Sequence, residues 1–258
     1  MSPALLQDSQ PMSTPSLDAL WLNLSPRLKR FNLRLLQQLQ THPSVATSLI
    51  GCWDYHQTLD EPCCFEAALT LLHEAIRSGD RPLHLLGHGS SAGLALRYAQ
   101  RYPQWVRSLT LLSVGSEPTQ SWHDHYYALR QLLPCSRSMI LAQMVRSLFG
   151  QQGPSLTKTF IKILATDLDS ALAPHSLAHY THFEVEHVEP PILVAIGAQD
   201  TLLAPINAPS LSWLKPSDRL YHCPEGRHFF HYDYPCRMAQ VISDFWVALE
   251  SPASLVAA

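Results

Sequence analysis

Apolar residues along the first half of the chain follow two spacings that alternate with each other. Short continuous apolar runs, typical of buried parallel strands, cover residues 19–24, 45–50, 82–86 and 106–114. Between them, apolar residues recur three and four positions apart, as on one face of a helix. The predicted helical faces contain Leu28, Phe31, Leu35 and Leu39, then Phe65, Leu69, Leu72 and Ile76, then Tyr98 and Ala99.

After Gly115 the pattern changes, because three helical segments follow one another with no strand between them. They cover residues 126–133, 140–148 and 160–168, and they predict a helical cap insertion over about residues 117–188. Strands at 192–196 and 219–222 and a closing helix through Val241, Ile242, Phe245 and Leu249 restore the earlier pattern. The alternation predicts an α/β fold, with a mostly parallel sheet and helices on both of its faces.

The length and composition are those of one globular domain. We assign residues 17–250 to this domain, residues 1–16 to a flexible N-terminal tail and residues 251–258 to a C-terminal tail. The net charge is -3 and the charged residues are interspersed, which argues against nucleic-acid binding. The six cysteines form no CxxC pair, and no apolar run is long enough for a transmembrane segment. We therefore expect a cytoplasmic protein.

Three segments carry a resemblance to a known family. Residues 87–112 read GHGSSAGLALRYAQRYPQWVRSLTLL, residues 192–205 read ILVAIGAQDTLLAP, and residues 225–235 read EGRHFFHYDYP. They resemble the nucleophile elbow, the acid loop and the histidine loop of the α/β-hydrolases, in the order of that family. The resemblance covers roughly residues 17–250, and it implies that Asp200 orients a general base, His228.

The same resemblance places glycine where the family has its nucleophilic serine. With Gly89 at this position, Ala95 and Ala99 coincide with the small residues of the family's elbow helix. Residues 89–93 also spell the GxSxG pattern literally, with Ser91 as the nucleophile. That register lengthens the strand by two residues and turns the helix by about 200°, which moves both alanines off the sheet. We favour Gly89 as a degenerate nucleophile position and keep Ser91 as the alternative.

A second departure from the family follows the first predicted strand. The family usually has His-Gly there, which helps to form the oxyanion hole, whereas this chain has Asn23, Leu24 and Ser25. We retain Asn23, Leu24 and Ser90 as candidates for ligand or oxyanion binding.

Histidines in two places raise the question of a metal site. His123 and His125 flank Asp124, but this spacing offers no compact ligand set, so we favour a surface loop there. The histidines near residue 228 are rejected as a metal site for the same reason. We expect neither a metal nor a cofactor.

These features predict a pseudo-hydrolase that binds a small apolar ligand or a protein partner, for example as a complex or assembly factor. Only 15% of the residues are charged, and the weakly polar surface favours such a partner. The alternative is a serine hydrolase of esters, thioesters or amides, with Ser91, His228 and Asp200 as its triad. A third hypothesis is a lyase or isomerase in which His228 moves a proton.

Overall fold

Six parallel strands form the centre of the protein in a computed structural model. The model describes residues 17–56, 65–79, 81–115, 118, 121–170, 185, 187–203, 211 and 213–250. The strands are β1 (Ala19–Asn23), β2 (Ile50–Asp54), β3 (Leu83–His88), β4 (Val106–Leu112), β5 (Ile192–Gly197) and β6 (Arg219–Cys223). Their order across the sheet is β2-β1-β3-β4-β5-β6, and every neighbouring pair is parallel. The predicted α/β class is confirmed.

The second predicted strand was wrong in position. Residues 45–49 do not join the sheet, and the backbone bond from Ser48 N–H to Val45 O belongs to a turn. The strand is β2, which begins at Ile50 and includes Gly51, Cys52 and Asp54. Because β2 lies at the edge of the sheet and is only partly buried, it does not need a continuous apolar run.

The helices alternate with the strands as predicted. A 3-10 helix, η1 (Pro26–Phe31), precedes α1 (Leu33–Thr41), and these are followed by α2 (Phe65–Arg77) and α3 (Ser90–Arg101). A second 3-10 turn, Pro103–Trp105, leads into β4. The described residues between β4 and β5 form the helices α4 (Trp122–Leu132), α5 (Arg137–Phe149) and α6 (Pro154–Leu168). The chain continues after β6 through α7 (Phe230–Asp233) and α8 (Pro235–Glu250).

Helices cover both faces of the sheet. On one face, α2 and α3 contribute Leu69, Leu72, Ala95 and Ala99 to an apolar core with β3 and β4. On the other face, α1 and α8 pack against the opposite side chains of the same strands, with Trp246 among them. The continuous apolar runs of β3, β4 and β5 are explained by this burial on both sides.

The helical insertion has a core of its own. Phe31 of η1 packs among Phe149, Phe160 and Phe229, with ring centroids 4.7 to 5.2 Å away. This cluster joins α5 and α6 to the loop that carries the predicted histidine. The domain boundaries stay a prediction, because residues 1–16, 251–258, 117 and most of 171–186 lie outside the described residues. In the part of the chain that the structure describes, every helix is too short or too polar to span a bilayer.

Candidate active site

The carboxyl ends of the central strands meet at one edge of the sheet, where parallel α/β folds bind their ligands. Asn23 is the last residue of β1 and Leu24 follows it, while Gly89 follows β3. Asp200 follows β5, and His228 follows β6. All the residues singled out from the sequence for this site therefore lie at the same edge.

Gly89 forms the sharp turn between β3 and α3. Its φ and ψ angles are 53° and -125°, a conformation that L side chains rarely adopt. Its N–H donates to Leu112 O on β4, while its carbonyl accepts from Ala92 and Gly93 in the first turn of α3. The turn is thus held by both the sheet and the helix, and β3 ends at His88, directly before it.

Asp200 and His228 form a buried pair. His228 Nδ1 lies 2.8 Å from Asp200 Oδ2, and the two side chains are 3% and 1% exposed. The other carboxylate oxygen of Asp200 accepts from Leu202 N–H at 2.9 Å. Burial raises the pKa of Asp200, but the charge and hydrogen bond of His228 and the backbone N–H groups outweigh it, so the net pKa is lowered. Asp200 therefore stays ionised and orients the imidazole with Nε2 away from the carboxylate.

The backbone of His228 is fixed by two residues that the sequence did not single out. His88 Nε2 donates to the carbonyl of His228 at 3.0 Å, and the Ser113 hydroxyl donates to the same oxygen at 2.6 Å. Ser113 has a positive φ of 52°. Burial, followed by the nearby His231 and His228, holds the pKa of His88 well below its usual value, so this ring is a neutral donor. The only sequence signal for either residue was its position at the carboxyl end of a strand.

The imidazole of His228 faces Gly89. A Cβ atom built on Gly89 would lie 3.9 Å from His228 Nε2, and no other described atom beyond the chain neighbours of Gly89 would be as near. A serine hydroxyl on that Cβ would reach hydrogen-bonding distance of the ring. Glycine supplies no such group, so the His228 imidazole faces a backbone turn at this point.

Ser91, the alternative nucleophile, lies two residues further on in the first turn of α3. Its hydroxyl oxygen accepts a hydrogen bond from the Leu24 backbone N–H at 2.9 Å, and the residue is 8% exposed. Among the described residues, no hydrogen bond joins Ser91 to His228. Ala95 and Ala99 are fully buried in the core against the sheet, as the register with Gly89 in the elbow requires.

The three candidates for oxyanion or ligand binding differ in the hydrogen bonds that their polar groups make within the protein. Asn23 Oδ1 accepts from Trp21 Nε1 and Asn32 Nδ2, and Asn23 Nδ2 donates to Asp54 at 2.8 Å. The Leu24 N–H is held by Ser91. Ser90 is the first residue of α3, where backbone N–H groups have no partner within the helix. Of the three, the Ser90 N–H is therefore the group left available to an oxyanion, and this role stays a prediction.

A small polar cavity lies between the elbow, the histidine loop and the insertion. Its volume is about 40 Å³, enough for about three water molecules. The described residues that line it include Asn23, Gly89, Ser90, Ser91, His123 and His228.

His123 belongs to this cavity, so the interpretation of a surface loop was wrong. The residue is 2% exposed and lies in the first turn of α4, with Nε2 2.8 Å from Asp167 Oδ2 of α6. Asp124 accepts from Ser121 N–H in a capping box, which is why the helix begins here. Among the described residues, no three His, Cys, Asp or Glu side chains are grouped as a metal would require.

No family model matches the chain, but sequence and structure comparisons find relatives. The uncharacterized protein sll0249 of Synechocystis sp. is 38% identical over 247 residues, covering 95% of each chain. The uncharacterized protein alr2406 of Nostoc sp. is 39% identical over 231 residues, covering 89% of this chain and 90% of that one.

Solved structures with a similar fold include esterases and hydrolases. An esterase from Exiguobacterium antarcticum superposes with a TM-score of 0.66 at 16% identity, covering 92% of this chain and 94% of that one. The hydrolase olei00960 from Oleispira antarctica superposes with a TM-score of 0.68 at 13% identity, covering 90% and 91%. At such identities the likeness concerns the fold. The chain therefore has the α/β-hydrolase fold, and it belongs to one family with the uncharacterized proteins of Synechocystis and Nostoc.

Proposed function

We propose that this protein is a pseudo-hydrolase, which keeps the acid and the base of a catalytic triad and has lost the nucleophile. The observation that carries the proposal is the empty position opposite His228, where the side chain of residue 89 would begin 3.9 Å from Nε2. The buried Asp200–His228 pair at 2.8 Å is the arrangement that activates a serine in triad enzymes. Here it activates no side chain at that point.

The energetic consequence is large. Removing the nucleophile from a serine hydrolase triad costs on the order of a millionfold in turnover, because the three residues act as a unit. His228 as a general base on water would recover about a hundredfold to ten-thousandfold at best. We therefore propose that efficient acyl transfer is absent and that the protein acts by binding.

The size and polarity of the cavity at the elbow argue against an enclosed apolar ligand. They favour a partner that binds at the surface. Its volume of about 40 Å³ is far below the roughly 300–1,000 Å³ of ligand pockets in proteins. Its described lining is rich in imidazole, hydroxyl and amide groups, which suit water better than hydrocarbon. A protein partner bound at the surface is the form of binding that we favour.

The second candidate is a serine hydrolase that uses Ser91. The esterase and hydrolase names of the structural neighbours favour it, and Ser91 lines the same cavity as His228. Attack by Ser91 requires its hydroxyl to leave the Leu24 N–H, which would remain buried without an acceptor. This cost makes Ser91 the weaker hypothesis. The proton-transfer hypothesis rests on the same His228 ring and needs water or substrate in the cavity.

Labelling with a fluorophosphonate probe separates these possibilities. We expect the wild-type protein and Ser91→Ala to remain unlabelled by intact-mass measurement, and both to show no hydrolysis of p-nitrophenyl acetate above the buffer rate. Gly89→Ser should gain labelling, because the new hydroxyl would lie within reach of His228 Nε2. The double variant Gly89→Ser with His228→Ala is the matched control and should lose it again.

Two results would contradict the proposal. Labelling of the wild-type protein that disappears in Ser91→Ala would make it a serine hydrolase with Ser91 as nucleophile. Ester hydrolysis by the wild-type protein that survives in Ser91→Ala and disappears in His228→Ala would instead support chemistry based on His228 alone.

A further inference from the structure

A large open groove lies beside the candidate active site, between the turn that joins α5 to α6 and the loop that carries His228. Its volume is about 980 Å³, within the range of ligand-binding sites. Three cations line it: Arg146 near the end of α5, Lys158 in α6, and Arg227. The other described lining residues are neutral, and several of them carry amide or hydroxyl groups.

The three cations are not neutralised within the described chain. No described acidic residue lines the groove, and none forms an ion pair with Arg146, Lys158 or Arg227. Other cations of the protein behave differently: Lys29 pairs with Asp54 at 2.7 Å, and Arg137 pairs with Asp169 at 2.7 Å. Concentrating like charges in a concave surface is unfavourable unless an anion occupies it, because their repulsion is otherwise uncompensated.

Arg227 is seated in the wall of the groove. Gly150, at the end of α5, has a φ of 75°, and a Cβ built there would lie 3.0 Å from Arg227 Nε and 3.3 Å from its Cδ. The arginine stem therefore packs on a backbone surface that only glycine leaves open. Nearby, Phe229 N–H donates to Leu148 O at 3.1 Å, which fixes the loop to α5. The guanidinium is pre-oriented, and this lowers the entropy cost of binding an anion.

The middle of the insertion contains cations and no acidic residue, although the chain carries a net charge of -3. From His125 to Thr166 the sequence contains no Asp or Glu and five cations, which are Arg130, Arg137, Arg146, Lys158 and Lys162. Lys162 lines a second groove of about 470 Å³ with Arg27 and Arg30 of η1. Cations of this segment therefore line both grooves, whereas Arg137 is paired with Asp169.

We propose that the groove of Arg146, Lys158 and Arg227 binds an anionic group of the phosphate type, carried by a soluble molecule or by a lipid headgroup. Guanidinium and ammonium groups that line one concave site are suited to phosphate, since arginine matches its oxygens in pairs and lysine adds a point charge. Arg227 and Thr201 in this groove directly adjoin His228 and Asp200 in the chain. An anion bound here therefore lies beside the pair without using it, and the proposal is independent of any residual catalysis.

The test is calorimetric titration of the full chain with inorganic pyrophosphate at low ionic strength. We expect saturable binding that weakens as salt is added. Arg146→Gln, Lys158→Gln and Arg227→Gln should each weaken it by about tenfold to a hundredfold, the range for loss of one hydrogen bond to a charged group. Arg77→Gln, which removes an exposed cation from the end of α2 outside the groove, is the matched control and should bind as the wild type does.

A second arm distinguishes the source of the phosphate group. Vesicles of phosphatidylcholine containing phosphatidylglycerol are sedimented with the same four variants and the wild-type protein, with pure phosphatidylcholine vesicles as the blank. Binding only to the anionic vesicles, weakened in the groove variants, supports a lipid headgroup; binding to pyrophosphate supports a soluble ligand. The proposal is overturned if neither probe binds saturably, or if Arg77→Gln weakens binding as much as the groove variants do.

Discussion

Gly89 and Ser91 are close in sequence but have different surroundings. Gly89 occupies the strained turn that faces His228, and Ser91 carries a hydroxyl that accepts from the Leu24 N–H. A non-glycine residue in the conformation of Gly89 costs of order 1–3 kcal/mol, so glycine avoids backbone strain at this turn. The Ser91 hydroxyl then has a structural role that can be measured apart from any activity.

Ser91→Ala should destabilise the protein by about 1–3 kcal/mol, because the buried Leu24 N–H would lose its acceptor. Ser90→Ala, at the neighbouring partly exposed position, should change the free energy of unfolding by no more than about 0.5 kcal/mol. Urea unfolding followed by tryptophan fluorescence gives both values. A neutral Ser91→Ala would mean that the hydroxyl is free to serve another purpose.

The helices of the insertion are joined to one another by polar as well as apolar contacts. His123 of α4 and Asp167 of α6 are bonded at 2.8 Å with side chains 3% and 1% exposed. Two residues later, Asp169 pairs with Arg137 of α5 at 2.7 Å, but this pair is at the surface. Buried and exposed pairs of similar length differ in energy, because the buried partners cannot turn to water when one is removed.

Asp167→Ala should destabilise the protein by about 3–5 kcal/mol, because the imidazole of His123 would stay buried after losing its bond to this carboxylate. Asp169→Ala should cost no more than about 1 kcal/mol, as exposed ion pairs usually do. Thermal and urea unfolding of the two variants provide the comparison. Equal losses for both would show that α4 and α6 are held by their apolar contacts alone.

Several histidines are buried as neutral rings throughout the fold. Burial, with a further contribution from Arg107, lowers the pKa of His84 to about 3, and burial with His228 lowers that of His231 to about 3. His84 bonds to Ser108 at 2.7 Å and stacks on Trp246. The unfolded chain takes up protons on these rings below about pH 6.5, whereas the folded protein does not until about pH 3. The contribution of these neutral rings to the free energy of unfolding is therefore fully present above pH 6.5, and it is lost as the pH falls through this interval.

The stability of the wild-type protein should fall steeply between pH 6 and 4, with each such ring contributing about 1.4 kcal/mol per pH unit. His84→Gln removes one of them, so the slope of unfolding free energy against pH should decrease by about that amount in this interval. Above pH 7 the unfolding free energies of the two proteins should differ by an amount that does not change with pH. Urea titrations at half-unit steps measure both slopes, and an unchanged slope in His84→Gln would contradict the burial of a neutral ring there.

The sequence by itself determined the class of fold and the order of the site residues. Continuous apolar runs such as ILVAIG are typical of central parallel strands, which are buried on both faces. The motifs give the chain order of Gly89, Asp200 and His228. These features are local in the chain, so the residue pattern reports them directly.

Only the tertiary structure decided which atoms meet. The position of the edge strand β2 was predicted wrongly, because a partly buried strand does not need a continuous apolar run. The burial of His123 was missed because its partner Asp167 is 44 residues away. The approach of His228 to Gly89, the engagement of Ser91 by Leu24, and the gathering of Arg146, Lys158 and Arg227 all depend on contacts between distant segments. Such contacts are set by packing in three dimensions, which the spacing of residues along one element does not encode.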